Sequence, residues 1–331
     1  MNTLALALTL FAFSAPHHVK VIVPAKPFKL TLGKTRTIYT NSVASLAVSP
    51  IGDRVAVSFQ SSPKIIIYNV LTGQKMLTYS AHLQPALGLA WSPDGQKIAS
   101  GDERAQIYVW NAKTGHTYIG YRTHIRGIEN LSFNPSSKLL VSTGEDDLIT
   151  VYNLHKPKPV EKIYGHGANF YGGHFSPVSD AILTGTLTPN MRLYTDTGIL
   201  AREYHEPQGQ GELDSEFSPN GKEVVMAGRD GKAIVFNEAT GKKIGTIWDG
   251  NNYLKMAVFS PDGRVIAVSS FSNTVKLYDA HTMKLLATIP NTSSVGSPVK
   301  FTSDGKFLIT TDSFDRLTIT PITPALAPKH R

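Results

Sequence analysis

The stretch LSFNPSSKLLVSTGEDDLITVYN, residues 131–153, returns in altered form as AVFSPDGRVIAVSSFSNTVKLYD, residues 257–279. In both, a Phe precedes an Asn-Pro or Ser-Pro pair, and a Tyr followed by Asn or Asp closes the stretch. The two stretches begin 126 residues apart, which is three intervals of 42. A fixed interval of this length indicates stacked copies of one supersecondary unit. The internal repeat therefore decides the fold.

The Ser-Pro-like pair marks seven units along the chain. Its second residues are 43 residues apart once and 42 residues apart five times, and each pair follows an apolar residue that is aromatic in six units. The pairs are Ser49-Pro50, Ser92-Pro93, Asn134-Pro135, Ser176-Pro177, Ser218-Pro219, Ser260-Pro261 and, in degraded form, Thr302-Ser303.

A second marker, aromatic in six of the seven units, lies in phase with the first. It falls 18 residues after the first pair and 17 after every later one, at Tyr68, Trp110, Tyr152, Tyr194, Phe236, Tyr278 and Thr320. Turn signals such as Asp94-Gly95 and Thr114-Gly115 separate short apolar runs, and no window has helical periodicity. Each unit is therefore predicted to form four short strands.

One four-stranded sheet cannot bury both of its faces alone, so the units must stack on one another. The pattern resembles the WD-repeat family of β-propellers, whose repeats run ~40 to 45 residues with a Gly-His pair and a terminal Trp-Asp. The resemblance covers about Lys34 to Pro321. It implies an all-β, seven-bladed β-propeller with four-stranded antiparallel blades over residues 34–322.

The ends of the repeat predict how the ring closes. The last unit ends at Pro321 before a fourth strand, and the segment Lys34–Thr40 lies where every other unit carries its outer strand. We therefore expect this N-terminal segment to complete the last blade and to remove an exposed edge. Residues 15–33 are predicted to be a linker and residues 323–331 a C-terminal tail.

The resemblance also implies structural ties within blades, because family members often join a His, a Ser or Thr, an Asp and a Trp by hydrogen bonds. The third unit matches best, with His124, Ser142, Asp146 and Tyr152. The others depart from the pattern: the second unit has His82, Ser100 and Trp110 with Arg104 in the Asp position, and the fourth has His166, Thr184 and Tyr194 with Thr188 there. The recurrence of His at one register favours structure over metal ligation.

The formal net charge of +8 lies at the ends of the chain. Residues 1–36 and 329–331 contain seven basic residues and no acid, so residues 37–328 carry only +1; the seven are Lys20, Lys26, Lys29, Lys34, Arg36, Lys329 and Arg331. Nucleic-acid binding needs Lys and Arg clustered on a folded face, so the composition argues against it. With no cysteine in 331 residues, disulfides and thiolate metal sites are excluded.

The N-terminal residues resemble an export signal. An uncharged apolar or small stretch runs from Thr3 to Ala15, which is too short to span a bilayer core of about 20 residues. Small residues at Ala12 and Ser14 favour cleavage before Ala15, so residues 1–14 are a candidate signal peptide. We therefore expect export to the periplasm or the cell exterior. The alternative is a buried strand or a disordered start in a cytoplasmic protein.

Polar residues break the repeat at the position three before each marker Pro, on the strand expected to line the channel. His174 and Glu216 occupy this position in neighbouring units, and Asp214 lies one strand step from Glu216. One interpretation is a polar patch on one side of the channel that is able to hold a cation or a small polar ligand. The alternative is hydrated channel residues or a hydrogen bond between blades.

Loops that lead into the innermost strands, together with the second hairpin turns, are expected to meet on one rim of the channel. They carry Arg and aromatic side chains of the kind that dominate protein interfaces, namely Arg104, Arg126, Tyr171, Arg229, Tyr253 and Phe271. The resemblance implies a noncatalytic scaffold for a protein or peptide partner, with no catalytic residue, metal or cofactor. The alternative is a propeller enzyme of lactonase or hydrolase type with a metal or small ligand held by His174, Asp214 and Glu216.

Overall fold

The computed structural model describes residues 29–326, except residue 39, residue 166, residues 168–169, residue 189, and residues 206–211, 251–252 and 294–297. The candidate signal peptide 1–14, the predicted linker up to residue 28 and the last five residues of the predicted tail lie outside this part. Within it the chain forms 29 β-strands and no helix.

The strands form seven antiparallel sheets that are the blades of a propeller. Blade 1 comprises β3 (Val43–Val48), β4 (Arg54–Phe59), β5 (Ser62–Asn69) and β6 (Lys75–Tyr79); blade 2 comprises β7 (Ala86–Trp91), β8 (Lys97–Asp102), β9 (Ile107–Asn111) and β10 (Thr117–Tyr121). Blade 3 comprises β11 (Ile128–Phe133), β12 (Leu139–Gly144), β13 (Leu148–Asn153) and β14 (Pro159–Tyr164). Blade 4 comprises β15 (Phe170–Phe175), β16 (Ile182–Thr186), β17 (Asn190–Tyr194) and β18 (Leu200–His205).

The remaining blades continue in the same order. Blade 5 comprises β19 (Glu212–Phe217), β20 (Glu223–Gly228), β21 (Lys232–Asn237) and β22 (Lys243–Trp248); blade 6 comprises β23 (Leu254–Phe259), β24 (Val265–Ser270), β25 (Thr274–Asp279) and β26 (Leu285–Pro290). Blade 7 comprises β27 (Lys300–Phe301), β28 (Phe307–Thr311) and β29 (Leu317–Thr323), and its outer edge is formed by β1 (Thr31–Leu32) and β2 (Arg36–Ile38). The predicted seven-bladed architecture is confirmed.

The ring closes through the N-terminal segment, as predicted. Strand β2 pairs antiparallel with β29, with Arg36 opposite Ile319 and Ile38 opposite Leu317. The sheet also extends past both predicted boundaries of the propeller. Strand β1 lies in the predicted linker and pairs Leu32 with Ile322, and Leu326, in the predicted tail, is fully buried. Both ends of the chain therefore contribute to the same blade.

The hydrophobic core lies between blades. Seven apolar clusters occur in the described part of the chain, and each joins residues from two neighbouring blades. One of them brings Val55 of blade 1 against Ile309 and Leu317 of blade 7. Because a blade buries its faces only against its neighbours, the closed ring leaves no blade with an uncovered face.

The Ser-Pro-like marker has a local hydrogen-bonding role. In every blade except blade 4, the side-chain oxygen of the marker's first residue accepts a hydrogen bond from the backbone N–H five residues later, which closes the turn between the first and second strands of the blade. These distances are 3.1 Å for Ser49, 2.9 Å for Ser92, 2.9 Å for Asn134, 2.9 Å for Ser218, 3.0 Å for Ser260 and 3.0 Å for Thr302. The degraded marker at Thr302 thus keeps the oxygen that the turn requires.

Candidate functional site

The rim is the end of the ring where the first strand of each blade begins and where the second strand turns into the third. Adjacent strands are antiparallel, so these two kinds of connection lie at the same end of every blade. The marker turns lie at the opposite end, on what we call the opposite face. All six predicted partner-binding residues lie on or next to the rim.

Blade 2 contains a complete buried tie that the sequence analysis assigned incorrectly. His82 Nδ1 lies 3.0 Å from Asp102 Oδ2 and His82 Nε2 lies 2.7 Å from Ser100 Oγ, while Trp110 Nε1 donates to Ser100 Oγ at 3.1 Å. The expectation that Arg104 replaces the acid is therefore wrong. The carboxylate comes from Asp102, two residues before Arg104. Arg104 contacts this carboxylate through its backbone N–H and not through its side chain.

Glycine explains why the acid takes different positions in blades 2 and 3. The residue of blade 3 that corresponds to Asp102 is Gly144, where an added Cβ would lie 2.8 Å from His124 Nδ1. The absence of a side chain at Gly144 leaves room for Asp146 to reach the histidine from the turn. A carboxylate therefore reaches the histidine in both blades from different sequence positions.

The four residues predicted to tie blade 3 are brought together by the structure. His124 Nδ1 lies 2.8 Å from Asp146 Oδ1, and His124 Nε2 lies 2.7 Å from Ser142 Oγ, which is 3.1 Å from the Tyr152 hydroxyl. Asp146 Oδ2 also accepts a hydrogen bond from the backbone N–H of Ile125 at 2.8 Å. In the fourth unit, the predicted His166 lies outside the described residues.

The two aspartates of these ties are held in their charged form. Burial alone would raise the pKa of Asp102, but hydrogen bonds from His82 and from the Gln106 backbone outweigh it, and the pKa is lowered. Burial likewise opposes ionisation of Asp146, and hydrogen bonds from His124 and the Ile125 backbone lower its pKa. The ties therefore join a carboxylate, not a carboxylic acid, to each rim loop.

Each tied histidine is followed by an exposed aliphatic side chain that the sequence analysis missed. Leu83 is 84% exposed and Ile125 is 88% exposed, directly after His82 and His124. The sequence signal for these two residues was an apolar residue directly after the recurring histidine. The buried histidine fixes the loop, and the loop carries the apolar side chain. The rim thus presents two aliphatic side chains on anchored backbone.

Two of the predicted arginines lie beside these aliphatic residues. Arg104 and Arg126 are both exposed, and an added Cβ at Gly127 would lie 3.4 Å from Glu103 Cα, so the two rim segments lie against each other. We call Leu83, Arg104, Ile125 and Arg126 the rim sector.

The other predicted rim residues fall into two further groups. The Tyr253 and Phe271 rings meet edge to face with centroids 6.1 Å apart, and both side chains are exposed. Tyr171 and Arg229 are half-buried near the channel mouth. Burial and the charge of Glu129 raise the pKa of Tyr171, against the effect of Arg229. The six predicted residues are therefore distributed along the rim from blade 2 to blade 6.

The central channel encloses about 670 Å³ and has one apolar and one polar wall. His174 Nε2 lies 3.0 Å from Asn130 Nδ2 and 3.4 Å from Asp214 Oδ1 on the polar wall. The apolar wall consists of small or aliphatic residues, namely Ala44, Ala47, Leu87 and Ala90. The predicted neighbours His174 and Asp214 are thus brought together.

Glu216, the third residue of the predicted patch, pairs with a residue outside it. Its Oε1 atom lies 3.6 Å from Lys300 Nζ at the end of the channel near the opposite face. Burial raises the pKa of Glu216, and Asp214 adds to this, while Lys300 and His174 oppose it. Burial would lower the pKa of Lys300, but the charges of Glu216 and Asp214 outweigh it, and the pKa is raised. Among the described residues, no three His, Asp or Glu side chains converge as metal ligands.

Comparisons with known proteins agree with this geometry. The WD domain, G-beta repeat model matches residues 73–111 and 113–153, which include the ties of blades 2 and 3. The chain is a β-propeller that contains WD repeats. A second family model, eukaryotic translation initiation factor eIF2A, matches residues 208–321 of this propeller.

A curated relative of the WD-repeat propeller is echinoderm microtubule-associated protein-like 3 of Mus musculus. The two are 27% identical over 116 residues, which is 35% of this chain and 13% of the relative. Together these similarities support an interaction scaffold. Within the residues that the structure describes, no helix is long and apolar enough to cross a membrane.

Proposed function

We propose that this WD-repeat propeller is a noncatalytic binding platform that holds a protein or peptide partner on the rim sector. The observation that carries the proposal is that two aliphatic side chains are exposed although the loops that carry them are anchored. Leu83 and Ile125 are each more than four-fifths exposed, yet each follows a histidine that is buried and hydrogen-bonded to a carboxylate. Anchored loops lose little conformational entropy when they bind, which favours affinity.

The chemistry of the rim sector indicates what kind of partner it fits. Arg104 and Arg126 lie beside the two aliphatic side chains, and arginine is enriched among residues that dominate interface energetics. A partner segment with apolar side chains flanked by Asp or Glu would bury Leu83 and Ile125 and pair with both guanidinium groups. We therefore expect an acidic, partly apolar protein or peptide segment.

Two similarities support a protein partner. The matched WD repeats cover the same two blades that carry the rim sector. The mouse relative is named as a microtubule-associated protein-like protein, and an association with microtubules is an association with protein.

A matched pair of double variants tests the platform. Leu83→Ser with Ile125→Ser removes the aliphatic side chains of the rim sector, whereas Leu71→Ser with Ile199→Ser removes two side chains that are 64% and 65% exposed on the opposite face. Proteins captured from an extract of the native compartment are identified with the wild type. Each purified candidate is then titrated against all three forms by isothermal calorimetry.

The rim-sector variant is expected to bind the partner at least about tenfold more weakly, since a hot-spot side chain contributes ~2 kcal/mol or more. The opposite-face variant should bind like the wild type. Arg104→Ala with Arg126→Ala should also weaken binding, mainly at low salt. Equal affinity of the wild type and the Leu83/Ile125 variant would contradict the proposal.

The alternative enzyme hypothesis requires the channel residues to perform chemistry. Stoichiometric metal in the purified protein, or turnover of a lactone or ester that is lost in Asp214→Asn, would replace the platform with a propeller enzyme. Partner binding on the rim sector without turnover would favour the platform.

We also propose that the protein is exported, on the strength of the apolar stretch from Thr3 to Ala15. Intact-mass measurement on protein from the native host should then give an N-terminus near Ala15. A chain that begins at Met1 in the cytosol would overturn export in favour of a cytoplasmic location.

A further inference from the structure

Carboxylates and ammonium groups occur together at both ends of the channel. Toward the opposite face, Glu216 pairs with Lys300. Toward the rim, burial and Glu145 raise the pKa of Glu129, and the positive charge of Lys255 opposes that rise, so these two groups also lie within reach of each other's field. The mouths of the channel therefore carry carboxylates together with ammonium groups.

Asp214, between these two ends, has no described Lys or Arg in direct ion-pair contact, although its charge also acts on Lys300. Its side chain is only 7% exposed, and no Lys or Arg nitrogen of the described residues lies within 4 Å of it. Its one charged-pair neighbour is His174, whose Nε2 atom lies 3.4 Å from Oδ1, which is long for a hydrogen bond. The second oxygen, Oδ2, is buried with no hydrogen-bond partner among the described residues.

A buried carboxylate without a contacting counter-charge raises the free energy of the folded protein. Removing a charged group from water costs several kcal/mol unless a counter-charge and hydrogen bonds replace the solvent, so buried charges are normally paired. No described Lys or Arg contacts Asp214, so a cation bound at this carboxylate would stabilise it, unless His174 itself carries the charge. The channel wall beside Asp214 must also leave room for that cation.

Gly172 lets the carboxylate lie against the backbone of its neighbouring strand, and small residues across the channel leave room for a ligand. Gly172 has a φ of 63°, and an added Cβ would lie 2.9 Å from Asp214 Oδ1, so any other residue would collide with the carboxylate. Across the channel, Ala47 and Ala90 present only methyl groups. The volume of about 670 Å³ lies within the ~300 to 1,000 Å³ typical of small-molecule sites.

We propose that the channel binds a small organic monocation, a primary ammonium with an aliphatic body. The ammonium donates hydrogen bonds to the Asp214 carboxylate, and the aliphatic body lies against the wall of Ala44, Leu87 and Ala90. An ammonium carries three donors and no acceptor, which suits a carboxylate that only accepts. His174 Nε2 already lies 3.0 Å from the Asn130 amide nitrogen, so this ring borders the site without accepting from the ligand. This site is separate from the rim sector and does not depend on it.

The donor set favours an organic cation over a divalent metal. Only Asp214 and His174 converge, because Glu216 is occupied by Lys300, and metal sites need three or more protein ligands. The raised pKa of Lys300 keeps this nearby group positively charged, and that charge disfavours a second, divalent one. A single ammonium charge matches the single unpaired carboxylate.

The test uses hexylammonium chloride as the probe, with 1-hexanol and sodium hexanoate as neutral and anionic analogues of similar length. The full-length protein is titrated at pH 7.5 while the His174 ring resonances are followed by NMR. Saturable hexylammonium binding that shifts these resonances, with at least tenfold weaker binding of both analogues, would support the proposal. Equal binding of 1-hexanol, or no saturation, would overturn it.

Two variants extend the test to the carboxylate. Asp214→Asn keeps the shape of the side chain and should weaken hexylammonium binding at least tenfold, whereas Glu103→Gln removes an exposed rim charge and should leave it unchanged. Unchanged binding in a folded Asp214→Asn variant would overturn the proposal. If that variant does not fold, the comparison of hexylammonium, 1-hexanol and hexanoate binding to the wild type decides whether the proposal holds. A His174 ring found as imidazolium at pH 7.5 without ligand would also overturn it, because Asp214 would then already be paired.

Discussion

The sector of blades 2 and 3 and the sector of blades 6 and 7 meet the same structural demands with different residues. Blades 2 and 3 anchor their rim loops through buried His82 and His124. Blade 6 has no histidine there. Instead the Tyr278 hydroxyl donates to Asp249 Oδ1 at 2.9 Å, and Lys276 Nζ lies 2.6 Å from the same oxygen.

Asp249 of blade 6 corresponds in position to Thr123 of blade 3. In blade 3 the Tyr152 hydroxyl is hydrogen-bonded to Thr123, which lies 29 residues before it, and Asp249 lies 29 residues before Tyr278. The third strand is thus tied to the loop that leads into the blade in both cases. The fold requires the tie, and more than one chemistry satisfies it.

Blade 7 differs further, because its outer edge comes from the opposite end of the chain. Blades 2 and 3 each use four consecutive strands, whereas β29 is covered by β1 and β2. Leu30 and Ile38 pack into the two core clusters of blade 7.

Deleting residues 1–40 should cause the largest loss of stability. It removes β1, β2 and the buried Leu30, and it uncovers the edge of β29. The loss is expected to exceed ~3 kcal/mol, since full burial of one large aliphatic side chain is worth ~1.5 to 3 kcal/mol. Deleting residues 1–28 retains both strands and should leave the melting temperature near that of the wild type. Equal melting temperatures for the two truncations would contradict ring closure by this segment.

Asp146→Ala should have the next largest effect. It leaves His124 Nδ1 and the Ile125 N–H without an acceptor in a buried site, which is expected to cost ~1 to 3 kcal/mol. The control is Asp53→Ala: Asp53 accepts a hydrogen bond from Ser49 Oγ at 2.7 Å, but it is 42% exposed, and solvent replaces the bond. Urea unfolding measures both. A smaller cost for Asp146→Ala than for Asp53→Ala would show that the tie does not stabilise the blade.

Asp249→Asn tests the alternative tie of blade 6. The amide oxygen still accepts from Tyr278, and Lys276, which is 26% exposed, can turn to solvent. The expected cost is therefore about 1 kcal/mol, less than that of Asp146→Ala, because only a partly exposed ion pair is lost. A larger cost than that of Asp146→Ala would mean that blade 6 depends on its carboxylate more than blade 3 does.

The cost of Asp146→Ala should depend on pH. The folded-state pKa of Asp146 is lowered, so its ionisation stabilises the fold above the unfolded value of ~3.9 and loses that effect as pH falls through the lower folded value. The difference in unfolding free energy between wild type and variant should therefore be constant from pH 7 to pH 5 and shrink toward pH 3. A difference that grows on acidification would contradict the assignment of this carboxylate.

Arg104→Ala should have the smallest effect on stability. The side chain is exposed, and the carboxylate of the tie belongs to Asp102, so the expected change is within about 0.5 kcal/mol. Asp102→Ala should instead cost ~1 to 3 kcal/mol, as in blade 3. Thermal unfolding of the two variants shows whether Asp102 or Arg104 belongs to the tie. If Arg104→Ala were as destabilising as Asp102→Ala, the arginine would belong to the tie after all.

Sequence alone sufficed for the number of blades, the strand order and the closing segment. The reason is that the repeat depends on local hydrogen bonds, such as the bond between the Ser92 side chain and the backbone five residues later. Such bonds need the same residue types at the same spacing in each unit, so they leave a regular pattern in the chain. The buried aromatic of the third strand does the same, as at Trp110 and Tyr152.

Tertiary structure decided the partners that the repeat spacing does not give. The sequence analysis left the tie of blade 2 without an acid, because Arg104 stands in that position, and it grouped Glu216 with His174 and Asp214, but the structure joins Asp102 to His82 and Glu216 to Lys300. These partners lie on different strands or different blades, and space at a single position such as Gly144 determines which carboxylate reaches the histidine. Distances across blades depend on packing between units, which the spacing of residues along one unit does not encode.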